Sequence, residues 1–392
     1  MSEFISPNVQ TIPTYLLTKI WDVEREMRAK GIDIIDLATG VPEVDPPDHV
    51  IQATVQAVKE HMALSPPQGL LELRQAITER LRDDDGSEVD ESEILITPGS
   101  KAALFVSIVS SIEKDDEVLM PSPFFHPYLQ ITSFAGGKLI KVPCFADGSF
   151  RLRREDLETR ITKKTRLVIL NYPNNPAGWT LTKDGLKAIL ELAQEHDLLV
   201  LTDEIYCKIV FDGLRHFHST YFRDLRDRIM MTGGFSKTYA MPHYRLGYAV
   251  ANKKRVDQMK KLLLAMITMP NTFVQKAGVA ALKGQQDFVN KRLEVYEKRR
   301  DLAVERLNKI EGVRCSRPQG AFFVFPDLSL LRMPSVELAE RLIREEHVST
   351  VPGVGSGEEW DGYLKISLTD TDDRLAEALG RIHRFVQKYR RS

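Results

Sequence analysis

The sequence predicts an α/β fold with a mostly parallel central sheet covered by helices, joined to a smaller α+β unit. Three observations predict it. Short apolar, β-branched runs recur through the middle of the chain, amphipathic stretches separate them, and beyond about Asp257 longer charged helical patterns take over. Strands buried on both faces read as unbroken apolar runs, whereas the helices covering them keep a 3.6-residue period. At 392 residues the chain has room for two or three domains and a large buried core.

In chain order, an amphipathic pattern at Leu16–Lys30 predicts a helix with no core of its own, expected to pack on the C-terminal unit. Strands follow at Ile94–Thr97, Glu117–Met120, Leu167–Leu170, Leu198–Thr202, Ile229–Thr232 and Leu246–Val250, with helices such as Lys101–Ile112 and Lys183–His196 between them. The C-terminal part reads as a helix at Asp287–Ile310, a strand at Ala321–Phe325 and a helix at Ser335–Glu346. A strand at Tyr363–Ser367 and a helix at Asp372–Tyr389 complete it. Residues 46–280 are therefore expected to form a large domain, and residues 1–45 with 281–392 a small one.

Lys plus Arg number 54 and Asp plus Glu 55, for a net charge of -1, so the basic surplus of a nucleic-acid or acidic-membrane binder is missing. The three cysteines, Cys144, Cys207 and Cys315, are far apart and show neither a disulfide framework nor metal-ligand spacing. MSEFISPN lacks the basic-then-apolar order of a secretory signal. The longest apolar run, near Leu262–Met269, is far short of the roughly 20 residues that cross a bilayer. The expectation is a cytoplasmic protein with no nucleic-acid, membrane or metal partner.

Four stretches carry chemistry. Lys237, in GGFSKTYAMPHYRLGY, is a lysine in an apolar-aromatic neighbourhood between two strand patterns, where an amine becomes nucleophilic once desolvated. Arg245, eight residues on, is suited to clamping an anion such as a phosphate. Asp203 and Tyr206, in LLVLTDEIY, follow a buried strand, the end at which open α/β sheets bind ligands. An aspartate there can hold a ring nitrogen protonated, and the tyrosine can hydrogen-bond a phenolic oxygen. NYPNNPAG, at 171–178, places Asn175 in a proline-fixed turn directly after a strand. TPGSKAAL, at 97–104, runs strand, glycine turn, helix start, leaving the N–H groups of Ser100 and Lys101 free for a phosphate. Each stretch alone also has a plain structural reading: a surface lysine with an ion-paired arginine, a helix-capping aspartate, a turn, a serine-capped helix.

Together, in this order and at these spacings, they resemble the fold-type I pyridoxal-phosphate enzymes of the class I/II aminotransferase family, and most the bacterial aspartate/aromatic branch. The resemblance runs from DLATGVP at 36–42 to GYLKISLTD at 362–370. It implies that Lys237 is the Schiff-base lysine and proton shuttle, and that Asp203 pairs with the pyridinium nitrogen. Tyr206 and Asn175 would hold the ring oxygen, Phe125 would stack on the ring, and Ser100, Lys101, Ser236 and Arg245 would gather the phosphate. Gly40, Asn175 and Lys365 would face the substrate. It further implies cis peptides at Pro123 and Pro176, and a homodimer with active sites at the interface, Asn271 or Thr272 reaching across. The reaction implied passes an amino group from an L-amino acid to a 2-oxo acid by way of pyridoxamine phosphate.

The match departs from the family pattern at three places. Lys365 stands where the family has an arginine forked onto the substrate α-carboxylate, and a lysine offers a point charge instead. Leu64 stands where a tyrosine commonly reaches the partner's phosphate. The third is Pro242-His243-Tyr244 in place of a common small-Gly-Trp. Gly234 stands where many relatives have a phosphate-binding serine, although others in this branch also have glycine there. Lys365 and Leu64 admit an alternative, a pyridoxal-phosphate enzyme of this fold that eliminates, replaces, cyclises or oxidises instead of transaminating. Phe124, His126 and Trp21 are candidate pocket residues. His216 and His218 lack a nearby carboxylate pattern for a metal, and Gly353–Gly357 lacks the strand–helix context of a dinucleotide fingerprint.

Overall fold

A seven-stranded sheet organises the molecule. Its strands are β1 (Ile94–Thr97), β2 (Glu117–Ser122), β3 (Lys138–Pro143), β4 (Thr165–Asn171), β5 (Leu199–Asp203), β6 (Ile229–Gly234) and β7 (Gly247–Ala251), in the spatial order β1-β7-β6-β5-β4-β2-β3. The computed structural model describes residues 5–14, 16–60, 62–146 and 148–390. The pairs from β3 across to β6 are parallel, and β7 runs antiparallel to both β6 and β1.

Alternation within the strands builds a core on each face. Leu167 and Ile169 of β4 pack with Leu104 and Ile108 of helix α1 (Ser100–Val109), whereas Val168 and Leu170 pack with Leu186 and Ile189 of helix α2 (Lys183–Glu195). A third cluster joins Ile94 and Ile96 to helices at Leu71–Asp85 and Thr272–Lys283. A fourth gathers Leu17, Ile20 and Met27 of the helix at Leu17–Ala29 with the C-terminal helices at Ser335–Glu346 and Asp372–Arg390. The C-terminal region also holds a three-stranded sheet of Phe323–Val324, Leu364–Ser367 and Val351–Pro352, with Leu364–Ser367 in the middle.

The sequence pattern passes over β3. Both its lysines and its mostly half-exposed side chains dilute the apolar signal, because an edge strand covers less core. The strand expected at Ala321–Phe325 narrows to two residues, since Ala321 takes a φ of 58° that no strand accommodates.

Glycine lets β7 approach α1 closely. A Cβ on Gly247 would stand 2.4 Å from the Ser100 nitrogen and 2.5 Å from the Gly99 carbonyl carbon, so backbone would have to move. Gly247→Ala is therefore expected to lower stability by about 1–3 kcal/mol, visible as a lower Tm. An unchanged Tm would show that the Gly99–Ser100 turn is free to shift.

Candidate active site

The carboxyl ends of the parallel strands come into register at one edge: Asn171 opposite Asp203, and Asp203 opposite Thr232. The start of β7 closes the row, with Gly247 opposite both Thr97 and Gly234. Beyond this edge lies a cavity of about 270 Å³. Its wall holds Ser100, Lys101, Phe125, Asn175, Asp203, Tyr206, Ser236, Lys237, Arg245 and Lys365, residues from six separate stretches of sequence.

Asp203 is buried, and its Oδ2 accepts a 2.7 Å hydrogen bond from the Tyr128 hydroxyl while Oδ1 accepts one from Ile205 N–H at 3.3 Å. Among the described residues no cation pairs with it. Burial pushes its carboxyl up to about 6 against the pull of the Tyr128 hydrogen bond. Lys237 Nζ donates to the Gly40 carbonyl at 2.8 Å. Burial, helped by the nearby Arg245 charge, brings its ammonium down to about 8. Gly40 thus touches the site through its backbone, at a φ of 64°.

Arg245 leans over the Gly99 turn that starts α1. A Cβ on Gly99 would lie 2.5 Å from Arg245 Nη2, and the glycine's φ of 87° is itself unfavourable for other residues. The Arg245 guanidinium donates to the Pro242 carbonyl at 3.0 Å. The amides opening α1 lack intrahelical acceptors, as at any helix start. Across the cavity, Lys365 is 8% exposed, and its Nζ sits 4.6 Å from the centre of the Phe323 ring. Among the described residues it has no hydrogen-bond acceptor and no ion pair. Burial and the neighbouring Lys237 charge push its ammonium down to about 7, although Asp36 pulls the other way.

Several site residues escape the sequence reading. Tyr128 is one; its position three residues after Phe125 at a helix start was the available signal. Asn171 is another: its Nδ2 donates to the Asp203 carbonyl at 3.0 Å, and its Oδ1 accepts from Asn175 N–H at 2.7 Å, so it ties the two loops together. Thr39, Val41, Ile205 and Phe323 also line the cavity. Of the candidate pocket residues, Trp21 lines the wall. Phe124 is instead a core residue, and His126 turns to the Gly355 carbonyl at 3.0 Å beside a smaller recess that it shares with Lys365. The glycine run therefore backs the Phe125 loop. Cis peptides occur at Ser122–Pro123, Tyr172–Pro173 and Asn175–Pro176. Leu64 is 80% exposed and His243 is exposed. His216 and His218 do meet a carboxylate, that of Glu204, which sequence spacing hides because a loop folds back over β5.

The description aminotransferase class I and II matches residues 32–382. The chain belongs to that family. This aminotransferase is 34% identical over 389 residues to an aromatic-amino-acid aminotransferase 2 of Thermococcus litoralis, covering 98% of each chain. It is 37% identical over 355 residues to a probable aspartate aminotransferase of Methanocaldococcus jannaschii, covering 89% of this chain and 92% of that one. The solved aspartate aminotransferase of Thermus thermophilus with maleate superposes with a TM-score of 0.92 at 32% identity, covering 97% of this chain and 99% of that one. The fold is fold-type I, and the enzyme is a pyridoxal-phosphate-dependent transaminase; none of the comparisons favours the non-transaminating alternative.

The site fits that cofactor on its own chemistry. It offers a buried carboxylate without a cationic partner among the described residues, an amine of lowered proton affinity, and a glycine cradle under an arginine at a helix start.

The raised Asp203 carboxyl gives a signed pH prediction for the cofactor-free protein. Its folded-state value of about 6 exceeds the unfolded 3.8, so ionised Asp203 opposes folding above pH 6 and the penalty vanishes below about pH 4. Asp203→Asn should make the cofactor-free protein more stable at pH 7, by up to about 3 kcal/mol, with the gain fading as pH falls from 6 to 4. Denaturant melts at several pH values read it; a variant less stable at pH 7 would contradict it.

Proposed function

We propose that the α-carboxylate of the amino donor binds Lys365, and that the donor is an amino acid with an apolar or aromatic side chain. The observation that carries this is the set of cations in the cavity wall: Lys101, Lys237, Arg245 and Lys365. Lys101 and Arg245 stand at the phosphate cradle and Lys237 takes the cofactor, so Lys365 alone is left for a carboxylate. Leu17, Trp21, Val41 and Phe323 give the wall an apolar portion that suits an apolar side chain. The aromatic specificity named for the Thermococcus relative agrees with this reading more closely than the aspartate specificity named for others.

When bound, the cofactor supplies an aldehyde for the amino group and a ring that draws electrons from the substrate Cα. Lys237 Nζ, its proton affinity lowered to about 8 chiefly by burial, would take up and hold the α-proton for return. Asp203 would keep the ring nitrogen protonated. Tyr206, edge-on to Phe322 and Phe323, and Asn175 would hold the ring oxygen, and Phe125 would lie against the ring. Ser100, Lys101, Ser236 and Arg245 would hold the phosphate. Gly40 carries the loop that faces the substrate. Residues 46–280 act as the cofactor domain and residues 1–45 with 281–392 as the smaller domain, in a cytoplasmic homodimer. Exposed Leu64, Leu71, Leu264 and Met266 support the dimer as apolar surface in need of a partner.

Two measurements test the reading. In single-turnover reactions with the cofactor-bound enzyme and no oxo acid, phenylalanine or tyrosine should release its oxo acid faster than aspartate or glutamate. Faster turnover of the dicarboxylates would overturn the donor class.

Burial holds the Lys365 ammonium below its ordinary range, whereas a bound carboxylate favours its charged form. As the pH rises through that lowered value binding must draw in a proton, so KM for the donor should rise by up to about tenfold per pH unit. Lys365→Arg should abolish that rise; an identical KM profile in the two proteins would remove Lys365 from carboxylate binding.

A further inference from the structure

Behind Asp203, on the side away from the cavity, lies a buried group of ionisable side chains that the reaction itself does not use. Glu204 is 1% exposed, and its two oxygens accept five hydrogen bonds. Oε1 accepts from the Tyr172 hydroxyl at 2.9 Å, the Thr202 hydroxyl at 2.8 Å and Ser219 N–H at 3.0 Å. Oε2 accepts from His218 Nδ1 at 2.6 Å and His216 Nε2 at 3.0 Å. The three ligand-type atoms lie within 4.8 Å of one another, but both nitrogens already stand at direct hydrogen-bond distance from the carboxylate, so the geometry is that of a hydrogen-bonded network.

The network is anchored on the helix at Leu71–Asp85. His218 Nε2 is 3.4 Å from Asp84 Oδ2, and Asp85 Oδ2 accepts from His218 N–H at 2.7 Å. Lys208 pairs with Asp84, Arg80 lies 4.0 Å from it, and Arg215 donates to its backbone carbonyl. Tyr248 and Cys207 are the further titratable neighbours, both held neutral by burial. Although burial opposes it, hydrogen bonds from His216 and His218 hold Glu204 well below the usual carboxylate range. Against the same burial, Asp84 and Glu204 raise His218 to about 10. Three carboxylates, Glu204, Asp84 and Asp85, thus face the cations His218, Lys208 and Arg80, with the Arg215 guanidinium on the Asp84 backbone carbonyl.

Both loops that face the cofactor ring hang from this network. Glu204 directly follows Asp203, and Tyr172 opens the loop that carries Asn175. We propose that the buried Glu204–His218 pair is a positioning device that holds Asp203 and the Asn175 loop in place and sets the charge behind the cofactor ring. The proposal rests on the assignment of Asp203 to the ring nitrogen. Removing the negative charge at Glu204 makes the potential at the ring less favourable to protonation; removing the positive charge at His218 does the reverse. Tyr172 carries position without charge.

The test uses the cofactor-bound enzyme and follows the pH midpoint of the cofactor's visible absorption band, together with cofactor affinity and Tm. Glu204→Gln should lower the midpoint and His218→Gln should raise it, each by about half a pH unit or more. Tyr172→Phe should weaken cofactor binding by about tenfold and leave the midpoint in place. Asp203→Asn is the reference. If it moves the midpoint while Glu204→Gln and His218→Gln leave it fixed, or move it in the same direction, the positioning pair is overturned and the role of Asp203 stands. If Asp203→Asn leaves the midpoint fixed, the assignment of Asp203 falls, and the proposal with it. Should Glu204→Gln not fold, His218→Gln and Tyr172→Phe decide: a fixed midpoint in the first or unchanged affinity in the second overturns the pair.

Discussion

Three ionisable side chains around the cavity, Asp203 and Lys237 at the carboxyl edge of the central sheet and Lys365 across from them, are drawn out of water without ion pairs among the described residues, and the cost of that desolvation shapes the site. In water a carboxylate and two ammonium groups keep their charges unaided. Here the carboxyl moves up to about 6, and the amines move down to about 8 and about 7. Each group would therefore be stabilised most by a ligand that brings the missing partner, in the proposed roles a cationic ring nitrogen for Asp203, an aldehyde for Lys237 and a carboxylate for Lys365. A cofactor and an amino acid together supply all three.

The fold makes that arrangement possible because parallel strands deliver their ends to one edge. Asn171 and Asp203 are neighbours in register, so the Asn171 amide can bridge the Asp203 carbonyl and the Asn175 N–H. Reversal of β7 brings Gly247 against the Gly99–Ser100 turn and sets Arg245 above it, where side-chain bulk at either glycine would close the cradle. The Glu204 network then fixes the same two loops from behind. The cavity is thus defined by the backbone at its rim and by a buried charge cluster at its back.

Much of this was legible in the chain. The six central strands and the helices between them followed from apolar runs and period, and Lys237, Asp203, Tyr206, Asn175 and Arg245 stood out by residue type and by position after strands. What could not be read were groups whose role depends on distant partners. Tyr128 looked like any helix residue until its hydroxyl met Asp203, 75 positions away. His216 and His218 lacked a carboxylate in sequence because Glu204 reaches them only once the loop folds back over β5. Edge strand β3 was hidden for the opposite reason, since too little of it is buried to leave an apolar trace.

The division of labour between two lysines of lowered proton affinity is the centre of the account, and it is open to direct chemical measurement. Borohydride reduction of the cofactor-bound enzyme, followed by peptide mass spectrometry, fixes the cofactor to whichever amine holds its aldehyde. The label is expected on Lys237 alone, with Lys365 unmodified. A label on Lys365 would contradict it, since that amine would then be the cofactor's anchor and the substrate carboxylate would need another partner.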